Sequence, residues 1–178
     1  GAVSNEVLIC PLFGDLSLKE QQQAIAPAKS GMRKVVLATN IAETSLTIEG
    51  VDFVIDSGFE KVAFYDAQTM TNRLRQQACS KASAIQRAGR AGRLRPGKCL
   101  RLFSAEDFGR RLEQSISEIQ QTDLLPTLIE AVRWGVTALD GLPLIEFPDH
   151  VKEGIAWEEL KALNIVDENH RLTKHGEN

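Results

Sequence analysis

The sequence predicts an α/β domain with a mostly parallel sheet flanked by helices, and three observations predict it. Apolar runs at 6–12, 33–38 and 51–55 lack polar alternation, as expected of parallel strands buried on both faces. Polar stretches with helical or turn signals separate these runs, the grammar of strand-loop-helix units. The first two runs end in polar turns, Gly14-Asp15 and Thr39-Asn40, on the side where such sheets gather ligands.

Taken in order, 6–12 is the first strand. Ser17 precedes Glu20 by three residues, a capping-box pattern that predicts a helix over 18–26 stopping at Pro27. Residues 33–38 form the second strand, centred on Val35-Val36-Leu37, and 51–55 the third. Between 60 and 77 the text alternates around a polar turn, which predicts a β-hairpin insertion; a protruding device and an ordinary edge pair are both open. A helix over 80–93 has Ser80 or Ser83 as its N-cap. Pro96-Gly97 turns the chain into a strand at 98–103, and Ser104 or Asp107 starts a further helix.

Composition shifts near Gln120. Leu124, Leu125, Leu128, Ile129 and Val132 fit a 3.6 period and predict an amphipathic helix over 122–134. Gly141-Leu142-Pro143 and Phe147-Pro148 read as a linker. A helix over 150–163 with Ile155, Leu160 and Leu163 on one face follows, then a tight hairpin over 165–173.

The length of 178 residues allows one domain, or one and part of another. A hydrophobic share of 43% and a charged share of 25% are ordinary for a globular chain. The net charge of −3 hides an asymmetry: from Lys61 to Arg111 there are twelve Lys or Arg against three acids, +9, which leaves −12 elsewhere. A basic segment in an acidic body attracts phosphates locally, because salt confines the field to roughly 8–10 Å. Cys10, Cys79 and Cys99 lack metal-ligand spacing and read as buried thiols of a reducing compartment. No run has the length of a membrane helix and no leader is visible, so the expected location is cytoplasmic, without a membrane partner.

Two stretches carry chemistry. Gln86-Arg87-Ala88-Gly89-Arg90-Ala91-Gly92-Arg93 sets arginines three apart with small residues and glycines between them. A core cannot bury so much unpaired charge, so these guanidiniums face an anion or water; a polyphosphate-binding surface and a solvated basic helix are the two readings. Thr39, Asn40, Thr44, Ser45 and Thr47 gather short polar side chains at a strand end, suited to phosphate oxygens or simply to a capping turn.

Gln86 to Arg93 resembles motif VI of superfamily 2 helicases in its DEAH-box (DExH) RNA helicase form. Thr39-Asn40-Ile41-Ala42-Glu43-Thr44-Ser45-Leu46-Thr47-Ile48 resembles motif V of the same family, and the text is most similar to the bacterial HrpB-type branch. The resemblance implies a RecA-like (P-loop NTPase-like) second helicase domain over 1–118, truncated at its start, and the beginning of a winged-helix domain over 119–178. It implies ATP and Mg²⁺ as cofactors, both held mainly by a first RecA-like domain. The implied partners are that domain and single-stranded RNA, with the enzyme a monomer. Gln86 would meet the attacking water and γ-phosphate, and Arg90 and Arg93 would act as arginine fingers. Thr47 and Glu49 would lie near the ribose or the metal-bound water, with Gly89 beside the nucleotide. Thr39, Asn40 and Thr44 would touch the RNA backbone, as would Gly14 in the turn matching motif IVa, although a structural turn reads nearly as well there. Arg87 is assigned to an internal or interdomain salt bridge.

The chain departs from the family at Ala26, where relatives often place an aromatic residue against the nucleotide base, and it holds neither a G-x-x-x-x-G-K-[ST] phosphate loop nor a D-E-x-H box. Both belong to the first RecA-like domain, so the chain is expected to be inactive alone. The competing readings are a non-catalytic RecA-like RNA-binding scaffold and a DExH DNA helicase.

Overall fold

The computed structural model describes residues 7–44, 46–66, 69, 71–93 and 95–177, with Thr44 as backbone only. Ser45, Ala67, Gln68 and Met70 and the side chain of Thr44 lie outside the described residues. The described chain divides into two compact units, one of residues 1–62 and 76–115, the other of 63–75 and 116–178.

In the first unit β1 (Val7–Leu12) pairs in parallel with β2 (Arg33–Ala38), Leu12 opposite Ala38. Between them runs α1 (Leu18–Ile25), closed by the expected capping box: Ser17 Oγ accepts from Glu20 N–H, and the Glu20 carboxylate accepts from Ser17 N–H at 3.0 Å. α1 stops at Ala26, before Pro27. β2 feeds α2 (Ile41–Thr44), a single turn, and then β3 (Phe53–Asp56), which pairs in parallel with β6 (Lys98–Arg101). β4 (Phe59–Asp66) and β5 (Thr71–Ala78) are the two arms of the expected hairpin. α3 (Lys81–Ala88) carries the Gln86 and Arg87 positions, and α4 (Ala105–Arg110) follows β6 with Ser104 as its N-cap.

The α/β class and the parallel pairing agree with the sequence, but the strands are not buried on both faces. Cys10, Leu12 and Ala24 form a core with Val36, Ile41, Leu46 and Ile48 around it, whereas Ile9, Val35 and Leu37 are 55%, 45% and 60% exposed. The apolar runs reported that both faces suit burial; only one has a packing partner among the described residues. Among those residues the parallel strands form two separate pairs rather than one sheet.

The helix expected over 80–93 is shorter. Ser80 caps it as predicted, accepting from Ser83 N–H at 3.1 Å, but it ends at Ala88. Gly89 caps the end, Arg90 and Ala91 continue as turns, and Gly92 has φ +84°. Gly92 N–H donates to Val51 O at 3.1 Å, and a Cβ on Gly97 would collide with the Gly92 backbone. The close approach that these glycines permit is therefore made by the chain itself, two glycines meeting across the Pro96 turn. Arg90 and Arg93 consequently lie beyond the helix that carries Gln86. Cys10 and Cys79 are buried, but Cys99 is exposed, against the expectation for all three thiols.

The second unit packs α5 (Leu125–Arg133) and α6 (His150–Ala162) around Leu124, Leu128, Val132, Leu139, Trp157, Leu160 and Val166. Asp149 caps α6 by accepting from Val151 and Lys152 N–H. Its buried face is Ala156, Trp157 and Leu160, not the expected Ile155, Leu160 and Leu163. At 3.6 residues per turn Ile155 lies about 140° around the axis from Leu160, and the large Trp157 surface selects the other face. The expected hairpin over 165–173 reduces to one antiparallel bridge, Val166 to Leu172. No helix among the described residues is long and apolar enough to cross a membrane.

Candidate nucleotide and nucleic-acid site

The carboxyl ends of β1 and β2 lie side by side, and Thr39 N–H donates to Leu12 O at 3.1 Å, joining the loop after β2 to the turn after β1. That brings Gly14, Thr39 and Asn40 to one edge, all exposed. A Cβ on Gly14 would meet nothing within 4 Å, so the residue is open to solvent and not wedged in the fold. Thr39 O and Asn40 O accept from Ala42 and Glu43 N–H, which starts the α2 turn at that edge.

The loop continues to Thr47 and Glu49, which line a pocket of about 290 Å³ with Ile48, Val51, Asp52, Arg93 and Arg95. Arg95 grips Asp52 with two parallel donors, Nε on Oδ1 at 2.5 Å and Nη2 on Oδ2. This pairing holds the Asp52 carboxyl below its usual range and raises the Arg95 guanidinium. Arg93 has no such partner among the described residues and is exposed on the pocket wall.

Arg90 is placed differently. Its Nη1 donates to Leu46 O at 2.8 Å and its Nη2 to Glu43 O, so it staples the 43–46 loop. Gln86 is exposed on α3. Gly89 is exposed, and its N–H already donates to Ile85 O at 2.9 Å, so that donor is not available to a ligand. Arg87 is spent internally, as expected of it: Nε donates to Glu43 Oε2 at 3.0 Å, Nη1 to Asp56 Oδ1 at 3.1 Å and Phe59 O at 3.0 Å, and Nη2 reaches Glu60 Oε2 at 3.5 Å. Burial lowers its affinity for the proton, and the hydrogen bonds and charges of its carboxylate partners outweigh that, so its guanidinium is raised overall.

Sequence reasoning found the loop and the arginines but missed Glu43, Asp56 and Glu60 as a carboxylate cluster, and Asp52 as the mate of Arg95. Glu43 and Arg87 stand 44 residues apart, and no local pattern announces such a pair.

This loop-and-arginine arrangement lies within residues 2–95, which match the model of the helicase conserved C-terminal domain. The chain belongs to that family. It is 47% identical over 175 residues to the ATP-dependent RNA helicase HrpB of Escherichia coli K12, covering 98% of this chain and 22% of that protein. It is 40% identical over 172 residues to the ATP-dependent RNA helicase HrpA homolog of Haemophilus influenzae, covering 95% of this chain and 13% of that protein. Two crystal structures of E. coli HrpB, described as a DExH-box NTPase and as a DEAH/RHA helicase, superpose with TM-scores of 0.89 and 0.91 at 46% identity. They cover 98% of this chain and 21% and 22% of theirs. The expected kinship with DExH helicases, and with the HrpB type among them, rests on these matches. The helicase-family chain spans about a fifth of the length of HrpB.

Proposed function

We propose that this chain is the second RecA-like domain, over 1–118, and the start of a winged-helix domain, over 119–178, of an ATP-dependent RNA helicase that acts in the cytoplasm as a monomer. One observation carries the reading: Arg90 is bonded to the very loop whose next residues, Thr47 and Glu49, share a pocket with Arg93. Arginines on the far side of the sheet from that loop would have had no nucleotide to serve.

The pocket fits one edge of a nucleotide. Apolar Ile48 and Val51 suit a sugar face, Thr47 and Glu49 offer oxygens for ribose hydroxyls or a metal-bound water, and Arg93 offers an exposed guanidinium for phosphate. ATP with Mg²⁺, held mainly by a first RecA-like domain, would supply the phosphoryl group whose transfer is the chemical step. Arg90 and Arg93 then meet the charge that develops on it, and Gln86 orients the attacking water. Gly14, Thr39, Asn40 and Thr44 hold RNA phosphates without reading bases, leaving motion along the strand to the closing and opening of the two domains.

The test is the ATPase of the complete enzyme with single-stranded RNA, single-stranded DNA or neither. Stimulation by RNA, loss of it in Arg93→Ala, and negligible turnover by residues 1–178 alone are expected. Stimulation by DNA alone would move the chain to the DNA helicases, and RNA binding without any ATPase would make it a scaffold.

A further inference from the structure

The loop proposed to hold RNA and the segment proposed to hold phosphate meet at one residue, Glu43. Its carboxylate accepts from Ser83 Oγ and from Arg87 Nε on α3, and its carbonyl accepts from Arg90 Nη2 just beyond α3. α2 is a single turn, too short to hold its own shape, so these bonds set where it sits against α3.

The charge balance shows that Glu43 does more than neutralise Arg87. Asp56 and Glu60 already face that guanidinium with side chains 2% and 7% exposed, two carboxylates for one cation. Asp56 Oδ2 is buried without a hydrogen-bond partner among the described residues. A third buried carboxylate adds desolvation and repulsion that the pairing does not require. What it does supply is a rigid link: it is bonded to two successive turns of α3 at Ser83 and Arg87, while its own backbone belongs to α2.

We propose that Glu43 is the positioning residue that couples RNA on the 39–44 loop to nucleotide at Arg90 and Arg93. The inference rests on the function proposed above. A shift of α2 on binding RNA is passed through the Glu43 carboxylate to α3 and through its carbonyl to Arg90, so that the loop and the finger move as one body. Because Asp56 and Glu60 still pair Arg87, Glu43→Ala removes the side-chain link without leaving a buried cation alone.

The experiment measures a coupling factor in the complete enzyme: the Kd for a non-hydrolysable ATP analogue without RNA, divided by its Kd with saturating oligouridine. Allosteric coupling of this kind is ordinarily about 5- to 150-fold, and Glu43→Ala is expected to pull the factor at least about fivefold toward one. Ser83→Ala removes only the hydroxyl donor and moves the factor the same way by less, which gives a second readout from a variant that leaves the charges in place. Reciprocity requires the same loss when RNA affinity is read with and without the analogue. A factor unchanged in both variants overturns the proposal, as does a weakening of both ligands that keeps their ratio, the signature of a merely structural residue. A wild-type enzyme that binds both ligands with a factor of one overturns it too while leaving the proposed function standing; one that binds neither overturns the function itself.

Discussion

Arg90 donates to the carbonyl of Leu46 at 2.8 Å, so this arginine of the Gln86–Arg93 stretch is fastened across the 43–46 loop. Arg93, three residues on, is exposed on a pocket wall beside Thr47 and Glu49. The same residue type thus stands in two physical states, and substitution separates them.

Arg93→Ala in the complete enzyme is expected to lower kcat for ATP by about a thousandfold, the usual cost of losing an arginine finger. Its stability should stay within about 0.5 kcal/mol, as for other exposed surface sites. Arg90→Ala is expected to lose the rate as well, and in addition about 1–3 kcal/mol of stability from carbonyls left without donors. Urea midpoints beside steady-state ATPase tell the two apart.

Arg111 ties the root of the β4–β5 hairpin to α4. Its side chain is 5% exposed; Nη1 donates to Gly58 O at 2.7 Å and Cys79 O at 3.2 Å, and the guanidinium stacks 3.9 Å from the Phe103 ring. Arg111→Ala is expected to cost about 3 kcal/mol in chemical denaturation, because two carbonyls lose a charged donor. Arg111→Lys should recover only part of it, since an ammonium cannot stack and fork at once. Gly58→Ala is expected to destabilise by more than about 1 kcal/mol: its φ is +75°, and a Cβ would stand 2.5 Å from Phe103 Cδ1.

Thiol labelling should report one accessible cysteine in the native chain and three after denaturation. Cys10 and Cys79 are 4% and 1% exposed, whereas Cys99 is open to reagent. Partial burial pushes the Cys99 thiol up, so its labelling should quicken markedly between pH 7 and pH 9 as thiolate forms.

Asp167 closes the turn before Leu172. Its Oδ1 accepts from Arg171 N–H at 2.9 Å and Asn169 N–H at 2.8 Å, bonds that hold the carboxyl below its usual value. A depressed folded value means that its contribution is present above the ordinary carboxylate range, about pH 4, and is lost as pH falls through the folded value. Amide shifts of Asn169 and Arg171 followed by NMR should titrate with a midpoint below that range, and Asp167→Asn should abolish the transition.

Much of the fold was legible because its signals are local. The Ser17 and Glu20 capping box, the Ser80 and Ser104 caps and the extent of β2 depend on neighbours within a few residues, and the structure has them where the text puts them. The end of α3 was not legible, because it depends on Gly97 returning against Gly92 after the Pro96 turn. The core face of α6 lies in the wheel geometry itself: Ala156, Trp157 and Leu160 fall within about 100° of one another, whereas the expected Ile155 is about 140° from Leu160.

By itself the sequence determined the class of the fold, the order of its elements and the two stretches, 39–49 and 86–93, that meet in the site. Periodicity, caps and motif spacing are properties of the chain as a line. Only the tertiary structure decided how the arginines divide their work: Arg87 buried among Glu43, Asp56 and Glu60, Arg90 stapled to a loop, Arg93 left open. The reason is electrostatic. A guanidinium's role is set by which carboxylates and carbonyls come within about 3 Å of it after desolvation, and those partners stand 27 to 47 residues away from Arg87 and Arg90 in sequence.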